Sequence, residues 1–416
     1  MEILMQPTRN QRKTRETHLS KRRLRRWIIR FLGIGVLILC VYTALDVFAT
    51  INPGLESSNE QQAHKIVQSS KQEDSTAIEK IKEPVTGTMD EVNVPDKVEP
   101  SEHVNLAFVG DIMMGGNVDK LLKTNGYDYP YIHISSILQE ADIAAGNMEN
   151  PITDRGEPAE DKSYVFRTSP EAVLGMAKSG FDVFNLANNH TLDYGLIGLQ
   201  DTIRLLIEAG LYGIGAGMNE EEAYKPVVLD KNGVRVAYLG LTRVVPEVSW
   251  KADKHTPGLA ETYNYTRPIK AIEAASGISD MVVVLVHWGV EGAIEPREFE
   301  KELAHRYIDA GADLVIGSHP HVLQGIESYK GKWIAYSLGN FIFTTSGKSG
   351  TNESAILQAS CSKSGDCELN FIPIVAGPAQ PRRMEDIAAK TLYQHLTSIS
   401  YSAEVQEDGQ VRSLLP

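Results

Sequence analysis

The chain has 416 residues, of which 42% are hydrophobic and 23% are charged, an ordinary composition for a globular protein. Its formal net charge of −13 is unevenly distributed, because residues 1–30 contain ten Arg or Lys and only two Glu and so carry +8. The remaining residues therefore carry −21, and an acidic body of this kind argues against nucleic-acid binding.

A basic segment followed by an apolar one predicts a membrane anchor near the amino terminus. Five of the six residues 21–26 are basic, and residues 31–45 are uncharged. A helix over residues 27–49 is long enough to cross a hydrocarbon layer of about 30 Å, and its basic flank is expected to stay in the cytoplasm. We therefore predict a cytoplasmic segment at 1–26, a single-pass signal anchor at 27–49 in the cell membrane, and an extracellular body. A cleaved signal peptide is the alternative, because the uncharged stretch is short.

The composition changes after this anchor. Residues 50–103 are rich in Glu, Ser, Gln, Lys and Pro and have no sustained apolar period, which predicts a flexible, disordered linker. Apolar runs begin at Val104, so we predict one folded domain over residues 104–383. The last residues, 384–416, are polar and are predicted to form a peripheral C-terminal tail.

Short apolar runs typical of buried strands alternate with helical patterns through the predicted domain. The predicted strands are residues 104–109, 143–146, 183–186, 234–239, 282–286, 314–316 and 333–337. The predicted helices are residues 170–180, 195–210, 269–276 and 297–311. An alternating region at residues 353–374 predicts a closing hairpin. Strands that alternate with helices predict an α/β fold, and the hairpin indicates a mixed sheet.

Two of the three cysteines, Cys361 and Cys367, flank a short polar turn within the predicted hairpin. If the body lies outside the cytoplasm, these two residues could form a disulfide across the hairpin. Two free thiols are the alternative. A zinc site is not expected from this pair, because no third or fourth ligand lies nearby in the sequence.

Ligand-type side chains come directly after five of the predicted strands. Since ligands in α/β folds gather at the carboxyl ends of strands, the sequence predicts one metal centre there. His319 and His321 are the most specific signal, because a proline between them fixes two imidazoles just past a buried strand. The candidate residues are Asp111, Asn147, Glu149, Asn189, His190, His287, His319 and His321. Histidine and carboxylate ligands favour Mn, Fe or Zn over Ca or Mg.

Several of these residues have alternative interpretations. Asp111 could instead cap the helix that follows it. His190 could be a buried structural histidine, or it could donate a proton to a leaving oxygen. Asp193 could orient His190 or cap the next helix. Asn340 could contact the site or hold a turn.

Several motifs, taken in order, resemble the CapA/PgsA family of membrane-anchored capsule and poly-γ-glutamate synthesis proteins of bacteria. The motifs are Gly110–Gly115, Gly146–Pro151, Ala187–His190 with Asp193–Gly195, Val286–Gly289, Gly317–Val322 and Tyr336–Phe341. The resemblance covers roughly residues 104–378. That family is similar in turn to the calcineurin-like metallophosphoesterases, which implies a four-layer α/β/β/α sandwich around one or two divalent ions.

The resemblance also implies roles for single residues. The residues that match metal ligands are Asp111, Asn189, His287, His319 and His321. His190 matches a catalytic histidine. Asn147 and Glu149 replace the bridging aspartate of the second motif, and which of the two takes its place stays open. Met113 stands where a ligand histidine is expected, and Gly116 stands where an arginine often occurs.

The family implies a membrane-anchored protein that helps to make or export a capsule or poly-γ-glutamate. Its expected partners are the membrane, an anionic polymer or its precursor, and other membrane subunits of a capsule synthesis complex. One alternative is an extracellular metal-dependent hydrolase that acts on phosphoesters or on polymer amide bonds, with His190 and Asp193 in catalysis. A second alternative, motivated by Met113, is a module that binds without catalysis. The sequence leaves open whether the chain is an enzyme.

Overall fold

The computed structural model describes residues 102–344 and 350–415. The predicted cytoplasmic segment, the predicted signal anchor and nearly all of the predicted linker lie outside the described residues. Within the part of the chain that is described, no helix combines the length and the apolar character that a membrane span requires.

Strands and helices alternate along the described chain. The strands are β1 (His103–Ile112), β2 (Ile143–Met148), β3 (Val183–Asn185), β4 (Tyr212–Ile214), β5 (Ala216–Gly217), β6 (Val227–Lys231), β7 (Val234–Thr242), β8 (Gly258–Leu259), β9 (Met281–His287), β10 (Leu314–Ser318), β11 (Ile326–Tyr329), β12 (Lys332–Ala335), β13 (Asn340–Ile342), β14 (Glu353–Ser362), β15 (Cys367–Gly377), β16 (Gln380–Arg383), β17 (Ala403–Val405) and β18 (Gln410–Ser413). The helices are α1 (Asn117–Asn125), α2 (Ser135–Gln139), α3 (Ala172–Lys178), α4 (Gly195–Glu208), α5 (Glu220–Ala223), α6 (Thr266–Ser276), α7 (Glu298–Asp309) and α8 (Asp386–Ile399).

These strands form two large sheets. The larger has the order β17-β18-β15-β14-β1-β2-β3-β4, with β13 beside β1 and β16 beside β15. The smaller has the order β11-β12-β10-β9-β7-β6. Strands β1 to β4 run parallel, as do β7, β9, β10 and β12, whereas β14 and β15 form an antiparallel hairpin. The predicted mixed α/β fold is therefore confirmed.

A hydrophobic core lies between the two sheets. Successive side chains of a strand face opposite sides of the sheet, so each central strand contributes to two cores. Leu106 and Phe108 of β1 share one core with Tyr238 of β7 and Val283 of β9. Each fully buried side chain of this kind stabilises the fold by about 1.5–3 kcal/mol, so this shared core holds the sheets face to face.

Helices cover the outer faces of both sheets. Val109 of β1 packs in a second core with Leu199 of α4. On the other side, Val284 of β9 packs in a third core with Ile272 of α6 and Leu303 of α7. The helices therefore shield the outer faces, and the strand ends remain free to carry polar side chains.

The structure differs from the sequence expectation at the carboxyl end of the chain. Instead of a peripheral tail, α8 buries Leu392 and Leu396 in the core that the two sheets share, and β18 pairs with β15. The apolar residues of α8 recur three or four residues apart within a polar sequence, the spacing of an amphipathic helix. A second difference concerns Asn340, which opens β13 instead of following a strand that ends at Ser337.

The hairpin of β14 and β15 places Cys361 and Cys367 directly opposite each other. Their Sγ atoms are 2.12 Å apart, and the resulting disulfide joins residues with a sequence separation of 6. Of the two alternatives left open by the sequence, the structure contains the disulfide.

Reduction of this disulfide is expected to lower the free energy of unfolding by about 2 kcal/mol, because the unfolded chain gains conformational entropy when the short loop opens. Urea denaturation of the full-length protein with and without reductant measures the change. The double variant Cys361→Ala with Cys367→Ala is the matched control and should not respond to reductant. Identical wild-type curves under both conditions would contradict the prediction.

Candidate metal centre

The parallel strands of both sheets end at one edge, and the predicted ligands meet there. Asp111 lies near the end of β1, Glu149 follows β2, and His287 is the last residue of β9. His319 and His321 come directly after β10. Ligand atoms of Asp111, Glu149 and His287 lie within 4.8 Å of one another, and the same holds for Glu149, His319 and His321. The two groups share Glu149, which therefore lies at the middle of the cluster.

Asp111 connects the two sheets. Its Oδ2 atom lies 3.1 Å from Nδ1 of His321. The backbone N–H of His319 donates to the same carboxylate, at 3.3 Å from Oδ1 and 3.2 Å from Oδ2. Asn189, from the loop after β3, reaches the cluster through its side chain, whose Oδ1 lies 2.8 Å from Nε2 of His287. The structure thus brings together all five residues that match metal ligands.

Glu149 is a buried carboxylate without a hydrogen-bond partner among the described residues. Its side chain is 0% exposed, and neither oxygen has a hydrogen-bond partner among the described residues. Oε1 lies 3.6 Å from Nε2 of His287 and 3.8 Å from Nε2 of His321. Burial raises the pKa of Glu149 well above its usual value of 4.5, and the charge on Asp111 raises it further. A buried carboxylate in this setting costs several kcal/mol unless a cation accompanies it, so the cluster fits a bound metal ion.

The imidazoles of the cluster also fit a metal. Burial and the nearby His319 and His321 lower the pKa of His287 well below 6.5. Burial and His321 lower the pKa of His319 to about 3, and its buried Nδ1 has no partner among the described residues. Neutral imidazoles keep the lone pair that a metal requires.

The pKa of His321 shifts in the opposite direction from those of His287 and His319. Burial acts to lower the pKa of His321, but the Glu149 and Asp111 carboxylates outweigh it and raise that pKa to about 10. Without a metal, His321 therefore carries a proton that balances part of the acidic charge. A cation that binds at the cluster would displace this proton.

The backbone around the paired histidines is strained. His319 and His321 have φ values of 98° and 59°, a region that residues other than glycine seldom adopt. Before them, Gly317 approaches Tyr336 so closely that a Cβ atom would lie 1.9 Å from the carbonyl oxygen of Tyr336. Conformations of this kind cost about 1–3 kcal/mol each and cluster at functional sites.

Asn147 differs from its predicted ligand role. Its Nδ2 donates to Oδ1 of Asp111 at 2.8 Å and lies 3.1 Å from Nδ1 of His287. Its Oδ1 accepts hydrogen bonds from Asn185 and Asn188, at 3.4 and 3.3 Å. A flipped amide would place Oδ1 against the Asp111 carboxylate. Asn147 therefore orients two candidate ligands, and Glu149 is the residue of this motif that offers oxygens to a metal.

The predicted catalytic pair lies beside the cluster. Nδ1 of His190 is 2.7 Å from Oδ2 of Asp193, which also accepts a hydrogen bond from the backbone N–H of Phe166. The Phe166 ring lies 5.0 Å from the His190 ring. Burial lowers the pKa of His190, although Asp193 opposes this shift. Asp193 therefore orients the imidazole, and His190 sits one residue from the candidate ligand Asn189.

Lys162 is a residue of the site that sequence reasoning missed. Its Nζ donates to Asp193 Oδ1 and to the backbone carbonyl of Asn189, and lies 3.0 Å from Nδ1 of His190. The Trp250 ring lies 5.2 Å from the same Nζ. Lys162 occurs in a polar loop between strands, where no apolar run marks a strand end. Nothing in the local pattern distinguishes it from a solvated surface lysine.

Three further positions lie at the edge of the site. Asn340 contacts His321 twice, through Oδ1 at 3.0 Å from Nδ1 and through Nδ2, which donates to the backbone carbonyl at 3.2 Å. Asn340 therefore supports the site and does not merely hold a turn. Met113 is only 4% exposed and supplies no nitrogen or oxygen ligand from its side chain. At Gly116, an added Cβ would lie 3.3 Å from the Phe166 ring.

Comparison with known proteins gives a consistent set of relatives. The family described as "Bacterial capsule synthesis protein PGA_cap" matches residues 105–345. The PGA biosynthesis protein CapA of Bacillus subtilis (strain 168) is 37% identical over 321 residues, which cover 76% of this chain and 83% of that protein. The capsule biosynthesis protein CapA of Bacillus anthracis is 36% identical over 74% of this chain and 76% of its own length. A probable polyglutamine synthesis accessory protein of Mycobacterium tuberculosis is 28% identical over 58% of this chain and 74% of its own length.

Proposed function

This chain belongs to the PGA_cap family of bacterial capsule synthesis proteins, and we propose that it is a membrane-anchored protein for the synthesis or export of capsule or poly-γ-glutamate. In this proposal an extracellular, metallophosphatase-like domain of the four-layer type contains one or two divalent ions. The names of the two CapA relatives support the role in polymer synthesis. Other membrane subunits would supply the remaining steps of synthesis.

The membrane anchor at residues 27–49 is part of the proposal and rests on the charge pattern of the sequence. The disulfide between Cys361 and Cys367 supports the extracellular position of the domain, because disulfides persist in oxidising compartments and are rare in the cytosol.

The observation that carries the metal-dependent function is the buried carboxylate of Glu149, which lies among three imidazoles and has no hydrogen-bond partner among the described residues. Packing alone does not account for a carboxylate at 0% exposure with two unsatisfied oxygens. The residues that would hold the metal are Asp111, Glu149, Asn189, His287, His319 and His321. Mn, Fe and Zn suit this set of nitrogen and oxygen ligands.

The chemistry that fits this arrangement is hydrolysis of a phosphoester or of a polymer amide bond. A divalent ion bound here would acidify a water molecule and shield the negative charge that develops on the reacting group. Asp193 accepts the hydrogen bond of Nδ1–H of His190, which leaves Nε2 to exchange a proton with the leaving oxygen. Lys162 holds Asp193 and the backbone of Asn189, so it fixes the position of this histidine relative to the ligands.

Metal analysis and turnover of the purified full-length protein test the proposal. We expect a stoichiometric content of Mn, Fe or Zn together with turnover of a generic phosphodiester. The double variant Asp111→Ala with His319→Ala should lose both, because it removes one ligand from each sheet, while binding to partner subunits should persist. The matched control is Asp154→Ala with His133→Ala, since both residues are exposed. A wild-type protein without metal would instead indicate a module that binds without catalysis.

A further inference from the structure

Arg243 lies one strand away from the candidate ligand His287, and among the described residues its guanidinium has no carboxylate partner. Arg243 directly follows β7, the neighbour of β9 in the smaller sheet. Its backbone N–H donates to the carbonyl oxygen of His287 at 2.8 Å. Arg243 therefore lies at the same edge of the sheet as the candidate ligand His287, one strand away from it.

The surroundings of the Arg243 guanidinium are aromatic. Its Cζ atom lies 4.7 Å from the ring centroid of Tyr263 and 5.2 Å from that of Phe299. Nη1 donates to the backbone carbonyl of Thr262 at 3.0 Å. Within residues 102–344 and 350–415, no carboxylate pairs with this partly buried guanidinium.

Some other arginines of the domain already have a carboxylate partner: Arg155, Arg235 and Arg267 each form an ion pair with one. Arg167 resembles Arg243 in lying over a ring, 4.4 Å from the centroid of Tyr194, but it does not follow a strand of the smaller sheet. An arginine has five N–H donors, and the carbonyl of Thr262 occupies one donor of Arg243. The remaining donors suit an oxyanion that approaches in the plane of the guanidinium.

The loop that begins at Arg243 borders both parts of the site. The backbone N–H of its first residue, Arg243, donates to the carbonyl oxygen of His287. Its helical turn at Val248–Trp250 places the Trp250 ring 5.2 Å from Nζ of Lys162, and that Nζ lies 3.0 Å from Nδ1 of His190. The loop therefore runs from the ligand side of the site to the catalytic side.

We propose that Arg243 binds a carboxylate of an anionic polymer chain whose reacting group lies at the metal centre; this inference rests on the proposed function. Outside residues 1–30 the chain carries −21, so an anionic polymer is repelled by most of the protein and needs a local cation. Lys162 is less suited, because its charge is already paired with Asp193 and its Nζ also donates to the Asn189 carbonyl. The guanidinium of Arg243 is held in place by two rings and a carbonyl, so little side-chain entropy is lost when it binds.

Binding of a labelled γ-linked glutamate oligomer to the full-length protein tests the inference. The measurement is fluorescence anisotropy, with metal-loaded and chelator-treated protein at two salt concentrations. Arg243→Gln is expected to weaken the affinity about tenfold or more, with a smaller salt dependence. Arg243→Lys should retain part of the affinity, because an ammonium keeps the charge but loses the bidentate geometry. The same oligomer with amidated carboxylates should bind weakly to every variant.

Arg306→Gln is the matched control. Arg306 also lies over a tyrosine ring, 4.4 Å from the centroid of Tyr265, but it pairs with Glu302 on the outer helix α7. This control should bind the oligomer as the wild type does. Equal affinities of wild type and Arg243→Gln would overturn the inference while leaving the proposed function intact. A wild type that does not bind the oligomer would overturn the inference together with the polymer role of the proposed function.

Discussion

Replacing Glu149 with glutamine is expected to abolish metal binding and, in the same variant, to stabilise the metal-free protein. Both effects have one cause, because Glu149 is fully buried and neither of its oxygens has a hydrogen-bond partner among the described residues. Its negative charge is unfavourable without a cation and favourable with one. We expect the metal-free variant to gain about 1 kcal/mol or more in free energy of unfolding. With metal at one hundred times the dissociation constant, the wild type should gain about 2.7 kcal/mol and the variant almost nothing.

The difference in free energy of unfolding between metal-free Glu149→Gln and the metal-free wild type should depend on pH. Burial raises the pKa of Glu149 well above 4.5 in the folded protein. The folded state then binds this proton more tightly than the unfolded chain does, so the wild type loses stability as the pH rises from about 4.5 through the folded pKa. Glutamine has no proton to release. The difference between variant and wild type should therefore be smallest below pH 4.5 and grow above it.

Urea unfolding of chelator-treated and metal-loaded protein measures both effects of the Glu149 variant. Glu140→Gln is the matched control, because Glu140 is exposed directly after helix α2. That control should stay within about 0.5 kcal/mol of the wild type. A Glu149→Gln protein that is still stabilised by metal, or that is less stable than the wild type without metal, would contradict the assignment.

Replacing His190 with glutamine is expected to reduce kcat on a phosphodiester by about 10²–10⁴-fold while the metal content stays unchanged. Nδ1 of His190 is hydrogen-bonded to Asp193, and His190 belongs to neither group of candidate metal ligands. Glutamine can keep a hydrogen bond to Asp193, but it cannot exchange a proton with the leaving oxygen. The loss should therefore appear in kcat, with little change in the affinity for the metal.

His305→Gln is the matched control for this variant. His305 is likewise bonded to a carboxylate, with Nε2 at 2.8 Å from Oε1 of Glu327, and it lies on helix α7 away from the strand ends. This control should keep the full kcat. Retention of turnover in His190→Gln, or loss of its metal, would mean that His190 has a different role.

Much of the site could be predicted because strand ends are visible in the sequence. The apolar run that becomes β9 ends at His287, and the run that becomes β10 ends just before His319. Parallel strands deliver their carboxyl ends to one edge, so residue type and position together indicated a cluster. The family resemblance added which of these candidates match metal ligands and which one matches a catalytic histidine.

Other features depended on contacts that a local pattern does not encode. The direction in which the Asn147 amide points is set by Asn185 and Asn188, which lie on another strand and its loop. Lys162 acquires its position only when its loop folds over Asp193. The register of β18 beside β15 likewise follows from tertiary packing, which explains why a polar carboxyl-terminal sequence did not identify a strand.

The candidate ligands come from two different sheets, and this division has a consequence for how the domain resists unfolding and proteolysis. Asp111 and Glu149 belong to the larger sheet, whereas His287, His319 and His321 belong to the smaller one. An ion bound by ligands from both sheets would link the two sheets. Separation of the sheets and release of the ion would then be coupled. Resistance to proteolysis would then rise with the concentration of that ion.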